Sequence, residues 1–422
     1  MSEEIIVVEG TGVLTGQIRV SGAKNSALKL LAATLLGQGR SVVQNVPLIS
    51  DIEVMTEVLR VLGATVEREG HQVAVDTSSV DCFETPYELV SKMRASISVL
   101  GPLIGRFGRA RVAMPGGCQI GARKIDMHLA GLEHLGVEFT VDHGYLEANA
   151  PQGLHGAEVM LTFPSVGATE NLLMAAVTAE GTTVIDNAAR EPEIVDLCNM
   201  LNEMGAQITG GGSPSITIQG VPLDKLHPCV HQTVGDRIEA GTFLVGGALT
   251  GGPLKVTGID PSFLRMALLK LREMGCTVET GPDWISVERS GSLRPTEIQT
   301  LPHPGFPTDL QAQFMLLAAL AEGNSVITEN VFENRFMFAA ELCRMGANIT
   351  IEGHHAFVQG VKALQGAPVS STDLRAGGAL VLAGIVAEGR TDVHQIRHID
   401  RGYEDYVGKL SSLGACVKRV TV

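Results

Sequence analysis

The sequence predicts an α/β protein assembled from six copies of one unit, each holding two helices and several short strands. Three observations carry this. A helix-like apolar pattern ending in a Leu/Met-Gly-Ala-like step recurs at Gly63, Gly136, Gly205, Gly275, Gly346 and Gly414, spaced 68 to 73 residues apart. A second pattern alternates with it: an Ala/Leu-rich helical stretch, then Gly39, Gly108, Gly181, Gly252, Gly323 or Gly389, then a β-branched strand. Aromatics make up only 4% of the chain, so small aliphatics and glycine must build the core. A fixed period is the signature of repeat architecture, and glycine just past a helical pattern is the expected stop. Six such units could stack as a solenoid, close into a ring or form two three-unit halves. Solenoid repeats are usually shorter, which favours two globular halves.

The helix starts of the second pattern come next in the chain. Counting back 14 or 15 positions from each glycine gives Lys24, Arg94, Gly167, Arg237, Asp309 and Arg375. Five of these six equivalent places carry a charge. Helix N-termini offer unpaired backbone N–H groups and the positive end of the dipole, which suits phosphate or carboxylate. A cation there opposes the dipole, so it does not serve the helix itself. Repetition at matched positions favours a shared cleft over solvated helix ends.

Between the second and third of these starts lies Met114-Pro115-Gly116-Gly117-Cys118-Gln119-Ile120-Gly121-Ala122-Arg123. Proline fixes one dihedral and glycine frees others, so the stretch reads as an irregular loop. Cysteine is usually a buried small hydrophobe, yet no periodic apolar pattern surrounds this one. A nearby arginine favours the thiolate. On this stretch alone, a structural thiol and a ligand-facing one both stay open.

The bulk composition limits the function. The chain has 422 residues, enough for two or three domains, with 45% hydrophobic and 18% charged residues, as in a packed globular protein. Net charge is -14, which disfavours nucleic acid and anionic membrane surfaces as partners. An anionic substrate would need a local basic pocket. The start, Met1-Ser2-Glu3-Glu4, lacks a secretory pattern, and no apolar run reaches membrane-spanning length. Seven scattered cysteines show no close metal-ligand pair, and a reducing cytoplasmic location is expected. Cys198, Cys276, Cys343 and Cys416 lie within or just after helix-like patterns and read as core.

Eight short stretches, in order, resemble the enolpyruvyl transferases, in particular the branch acting on UDP-N-acetylglucosamine. They are Ser21-Gly22-Ala23-Lys24-Asn25, Pro115-Gly116-Gly117-Cys118, Ile120-Gly121-Ala122-Arg123 and Ala189-Arg190-Glu191-Pro192-Glu193 in the first half. Asp236-Arg237-Ile238-Glu239, Phe306-Pro307-Thr308-Asp309, Phe332-Glu333-Asn334-Arg335 and Asp400-Arg401-Gly402-Tyr403 follow in the second. One such motif is weak; eight in order over essentially the whole chain are specific. The resemblance implies two inverse α/β barrel-like domains, each of three βαβαββ repeats, with the active site in the interdomain cleft. It places residues 23–232 in one domain, with a catalytic loop at 112–121, and residues 1–22 plus 233–422 in the other.

The implied reaction moves the enolpyruvyl group of phosphoenolpyruvate to the 3′-hydroxyl of UDP-N-acetylglucosamine and releases phosphate, the first committed step of peptidoglycan synthesis. No metal or organic cofactor is implied, and the protein is expected to be a monomer or weak homo-oligomer. Lys24, Arg123 and Arg401 match the family's phosphoenolpyruvate-contacting cations, and Arg335, Arg375 and Arg94 are further basic candidates. Arginine's planar fork suits carboxylate or phosphate, and lysine acts as a compact charge. Cys118 matches the loop cysteine assigned as general acid, the position that fosfomycin alkylates. Asp309 matches the carboxylate near the sugar hydroxyl; simple helix capping by Thr308 or Asp309 is the bland alternative. Asn25 positions a substrate beside Lys24. Arg123, Lys124, Ile125, Asp126 and Met127 lie along the uridine site, with Ser165, Val166 and Gly167 nearby. Asp236 falls near the hinge, and Val331 either touches the sugar nucleotide or is a plain core valine. Lys124 departs from the proline many relatives carry.

Three other readings compete. A sister enzyme acting on shikimate 3-phosphate would share the architecture, but the Cys118 loop speaks against it. A sugar-nucleotide-binding regulator would not need Cys118, Asp309 and Arg401 together. A repeat scaffold for protein partners predicts neutral helix starts, not five charges in six.

Overall fold

The computed structural model describes residues 3–10, 12–90, 94–114 and 125–422. Among them the chain divides into two compact units. One holds the N-terminal stretch up to Ser21 and all residues from Gly235 to Val422; the other begins at Gly22 and ends at Val234. The chain thus passes between units at Ser21/Gly22 and again at Val234/Gly235.

Each unit carries three four-stranded sheets built to one plan. In the sheet of Glu158–Met160, Thr182–Asp186, Ser215–Gln219 and Gln207–Thr209, the first two strands pair in parallel across a helix, and the other pairings are antiparallel. This is the βαβαββ repeat: strand, helix, strand, helix, then a hairpin. The two crossings exchange first strands between repeats. Gly16–Arg19 pairs in parallel with Leu254–Thr257 in one unit, and Val230–Gln232 pairs with Arg40–Gln44 in the other. The N-terminal strand Glu4–Glu9 instead fills the last repeat, between Arg390–His394 and Cys416–Thr421.

Burial explains how each unit holds together. Strands such as Trp284–Glu288 alternate between buried and more exposed positions, so each sheet has one face inward. Three helices in each unit are buried almost all round, as apolar core helices must be. In the 235–422 unit they are Arg237–Thr250, Gln311–Ala319 and Leu374–Val386, which all pack on one another. Their counterparts in the other unit are Lys24–Ala33, Leu100–Phe107 and Val166–Ala176. Each unit has its own hydrophobic core, one centred on Phe243, Phe314 and Leu380, the other on Leu31, Leu103 and Leu172. Phe306 meets Phe314 edge-on, with ring centres 4.9 Å apart.

The six predicted helix starts fall where the repeat puts them. Lys24 and Arg237 are the first residues of their helices, and Gly167 and Arg375 the second. Arg94 and Asp309 lie in 3-10 turns, Arg94–Val99 and Thr308–Leu310, that run directly into Leu100–Phe107 and Gln311–Ala319. Of the second set of glycines, Gly108 caps Leu100–Phe107 directly, while the left-handed cap of Arg237–Thr250 is Gly251 (φ 81°), not Gly252; Gly39, Gly181, Gly323 and Gly389 lie three to five residues beyond the last helical residue, each with positive φ. Among the described residues, no helix is long and apolar enough to cross a membrane.

Candidate functional site

In the 22–234 unit, the site starts from the helix Lys24–Ala33. No side chain caps its N-terminus, and Lys24 itself is buried there. Its Nζ lies 2.7 Å from Asp51 Oδ2, with the two side chains only 10% and 4% exposed. Asp51 sits in the first turn of Ser50–Val61, where the dipole favours a carboxylate. Removing two charges from water costs several kcal/mol per ion, so a buried pair is weak grounds for a stabilising role. Asn25 follows, half-buried.

Two more helix starts of this unit are held side by side. Asp126 begins Asp126–His134, exposed, its Oδ1 accepting from the Met127 N–H; Ile125 and Met127 are half-buried. Ser165 caps Val166–Ala176 by accepting from the Ala168 N–H at 3.3 Å. His128 joins the two: its Nδ1 is 2.9 Å from Asn171 Nδ2, and a Cβ at Gly167 would come within 3.0 Å of its ring. Ile125, Asp126 and Met127 are therefore brought close to Ser165, Val166 and Gly167.

The other unit gathers its charges around Asp309. Arg335 Nη2 donates to Asp309 Oδ1 at 2.9 Å. Arg375 Nε lies 3.4 Å from Asp309 Oδ2, an attractive distance without an aligned hydrogen bond. Both arginine side chains are buried, at 4% and 3% exposure, while Asp309 is 25% exposed. Burial opposes the Arg375 charge, but Tyr403, Asp309 and Asp236 outweigh it and raise its pKa above the ordinary arginine value. Burial likewise opposes Arg335, where Asp309, Asp373 and Glu329 prevail and raise its pKa. Asp309 does not cap its helix: neither that helix nor the turn before it has a side-chain cap.

The Tyr403 ring supports this group from beneath. The Arg375 guanidinium carbon stands 5.3 Å from the ring centre, a cation–π contact. Tyr403 Oη meets Thr242 Oγ1 at 2.9 Å and accepts from Gln313 Nε2 at 3.2 Å, and Gln313 Nε2 also donates to the Arg375 carbonyl at 3.1 Å. Asp373 caps the same helix by accepting from the Arg375 and Ala376 N–H groups at 2.8 and 3.1 Å.

The remaining residues fall in different settings. Asp236 caps Arg237–Thr250, accepting from the Ile238 and Glu239 N–H groups. Arg401 ends the 3-10 turn Ile396–Arg401, half-buried. Burial, with Arg397 and Arg401 beside it, holds the His398 pKa below the usual imidazole value. Val331 is half-buried rather than core, its N–H donating to Glu329 Oε1 at 2.8 Å. Cys118, Arg123 and Lys124 lie outside the described residues, as does the side chain of Arg94.

Two cysteine expectations need correction. Cys198 and Cys276 are buried, but Cys343 and Cys416 are exposed. Cys343 is on the outer side of Ala339–Arg344, whose buried residues are Ala339 and Leu342. Cys416 begins a strand in which the next residue, Val417, takes the inward position. Burial pushes the Cys198 thiol up to about 12 and that of Cys276 to about 11.

Sequence reasoning missed Asp51, Gln313 and Asp373. Asp51 had a signal, as an acid in the first turn of an amphipathic helix; Gln313 had none, since its partners come from other repeats. Among the described residues, no group of three or more His, Cys, Asp or Glu is placed to hold a metal ion.

Comparison with known proteins bears on the whole chain. The family model of EPSP synthase (3-phosphoshikimate 1-carboxyvinyltransferase) matches residues 8–410. UDP-N-acetylglucosamine 1-carboxyvinyltransferase from Mycolicibacterium paratuberculosis is 52% identical over 417 residues, covering 99% of both chains. The Corynebacterium jeikeium protein of that name is 52% identical over 420 residues, covering 100% of both. Among solved structures, the enolpyruvyl transferase NikO from Streptomyces tendae superposes with a TM-score of 0.89 at 29% identity, covering 100% of both chains. EPSP synthase from Acinetobacter baumannii, 18% identical with a TM-score of 0.75 over 99% of this chain and 100% of that one, shares the fold. With the family model matched over nearly its whole length and half its residues identical to those of curated relatives, the chain belongs to the EPSP synthase family of enolpyruvyl transferases.

Proposed function

We propose that the protein transfers the enolpyruvyl group of phosphoenolpyruvate to the 3′-hydroxyl of UDP-N-acetylglucosamine and releases phosphate, in the first committed step of peptidoglycan synthesis. The observation that carries the reading is the Arg335–Asp309–Arg375 group: a carboxylate at a helix start between two buried guanidinium groups. Relatives named for this reaction at 52% identity support the choice of acceptor.

The chemistry is addition followed by elimination. In the addition, the sugar oxygen bonds to C-2 of phosphoenolpyruvate, Asp309 takes the hydroxyl proton, and the Cys118 thiol protonates the methylene carbon. In the elimination, the bond from C-2 to the phosphate oxygen breaks, phosphate leaves and takes up the proton held by Asp309, and the new methyl carbon gives up a proton to the Cys118 thiolate, which restores both residues. Positioned proton transfer contributes roughly 100- to 10,000-fold to such steps. Lys24, Arg123 and Arg401 hold the phosphoenolpyruvate anion. Arg335 and Arg375 stabilise developing negative charge, as preorganised donors do. The Ile125–Met127 and Ser165–Gly167 helix starts offer backbone N–H groups to the nucleotide. Fosfomycin alkylates Cys118.

The test is phosphate release from phosphoenolpyruvate by purified protein, with UDP-N-acetylglucosamine or shikimate 3-phosphate as acceptor. Release with the sugar nucleotide alone is expected. Release only with shikimate 3-phosphate would keep the reaction class and overturn the acceptor. No release with either would overturn the enzymatic reading.

A further inference from the structure

The 22–234 unit contains a buried histidine that the reaction does not use. His231 lies in the strand Val230–Gln232, three residues before the chain leaves the unit at Val234. It is 7% exposed, and both ring nitrogens face carboxylates: Nε2 is 2.9 Å from Asp196 Oδ1, and Nδ1 is 2.8 Å from Glu203 Oε2. A neutral imidazole has one N–H, and two carboxylate acceptors require two, so the arrangement holds an imidazolium. The other oxygen of Asp196 accepts from Ser26 Oγ and from the Val234 N–H. Ser26 is fully buried in the first turn of Lys24–Ala33, immediately after Lys24 and Asn25. One acid thus ties together the exit of the chain, the charged histidine and the helix start that presents the substrate lysine.

We propose that His231 is a positioning residue whose imidazolium fixes Asp196, and through Ser26 the Lys24–Asn25 helix start, so that the grip on phosphoenolpyruvate depends on a proton held at His231. The role assigned to Lys24 rests on the proposed function; the proton-dependent latch itself does not.

The surroundings of the ring are consistent with this. Asp196 and Glu203 face it from the helix Pro192–Glu203. The strand Arg40–Gln44 presents Val43 in register with it, and Cys229, two residues back, faces Glu203. Burial disfavours the imidazolium, and the two carboxylates overcome that and raise the pKa above 6.5. Glu203 is 48% exposed, so solvent screens its share, and Asp196 is the stronger partner. The sign follows: the folded pKa lies above the unfolded one, so the latch is fully made below the unfolded value. It is lost as pH rises through the folded value.

The experiment has two arms. In the free protein, the His231 ring resonances, identified by their loss in His231→Gln, are titrated by NMR. Protonation through neutral pH and a midpoint above 6.5 is expected, with the midpoint moving down in Asp196→Asn. Titration at or below 6.5, or no movement in Asp196→Asn, would overturn the latch. In turnover, His231→Gln is expected to raise KM for phosphoenolpyruvate about tenfold at neutral pH, the loss of one charge-assisted hydrogen bond, with kcat within about twofold. The wild-type KM should rise towards the variant's as pH passes the His231 midpoint. A KM ratio unchanged with pH, or a fall in kcat alone, would overturn the positioning role. If no acceptor supports turnover, the function fails while the NMR arm still decides the latch. If His231→Gln does not fold, Asp196→Asn carries both arms.

Discussion

Replacing Asp309 with Asn tests the centre of the proposed site. The change keeps the shape of the side chain and an oxygen acceptor for Arg335 Nη2, now 2.9 Å away, but removes the charge between two guanidinium groups. Breaking a buried ion pair by removing one partner costs about 3–5 kcal/mol. Asp309 is a quarter exposed and Asn retains one hydrogen bond, so the cost here is nearer ~2 kcal/mol. In a unit of roughly 200 residues that lowers the melting temperature by about 4–8 °C. The kinetic loss is separate. Without a base for the sugar hydroxyl, turnover falls by roughly 100- to 10,000-fold, while calorimetric affinity for UDP-N-acetylglucosamine stays within a factor of about three. Phosphate release and thermal unfolding on the same preparation give both values. Near-normal turnover would refute the assignment of Asp309 as base, and a raised melting temperature would refute its role in neutralising Arg335 and Arg375.

Asp51→Ala leaves Lys24 buried without the carboxylate 2.7 Å away and is expected to destabilise by about 3 kcal/mol. Adding Lys24→Gln should recover part of that loss in a double-mutant cycle followed by denaturant unfolding, and strictly additive effects would refute the coupling. Fosfomycin, added with the sugar nucleotide, is expected to abolish activity and to modify Cys118, as read by peptide mass mapping; full activity with an unmodified Cys118 peptide would refute it. In the native protein, iodoacetamide should label exposed Cys343 and Cys416 well before Cys198, whose thiol is pushed up to about 12; early labelling of Cys198 would contradict its burial. Gly22→Ala would place a Cβ 1.6 Å from the Asn45 carbonyl oxygen, a backbone atom that cannot swing aside, so loss of soluble, cooperatively folding protein is expected on expression and melting.

The sequence displays the repeat because the repeat is local. A glycine past each helix and a fixed period place five of the six helix starts within two residues of those observed, and the sixth, Arg94, at the head of the 3-10 turn that leads into Leu100–Phe107. The slip at Gly251 has a local cause as well: two glycines stand side by side, and only the first takes the left-handed conformation. The cysteine errors have another origin. An apolar pattern marks a helix without saying which side of the last turn faces the core, and Cys343 lies on the wrong side of Leu342. The partners of the charged residues were least legible. Lys24 meets Asp51 across 27 residues, Arg335 meets Asp309 across 26, and His231 meets Asp196 across 35. Each pairing depends on how elements distant in the chain pack together, which no motif encodes.

The chain carries a net charge of -14 and yet is expected to hold two anions. Each unit offers cations already paired with carboxylates: Lys24 with Asp51 in one, and Arg335 and Arg375 with Asp309 in the other. An unpaired cation buried to this degree would shift its pKa or reorganise its surroundings. Pairing offsets that cost and keeps each charge in place. The Tyr403 ring and Thr242–Gln313 network beneath Arg375 then limit how far the guanidinium can move. In the proposed reaction an arriving phosphate or carboxylate need not create the positive charge; it shares it with a carboxylate already present. Under the proposed mechanism, the pairing that holds Arg335 and Arg375 in place is therefore also what presents them to the substrate.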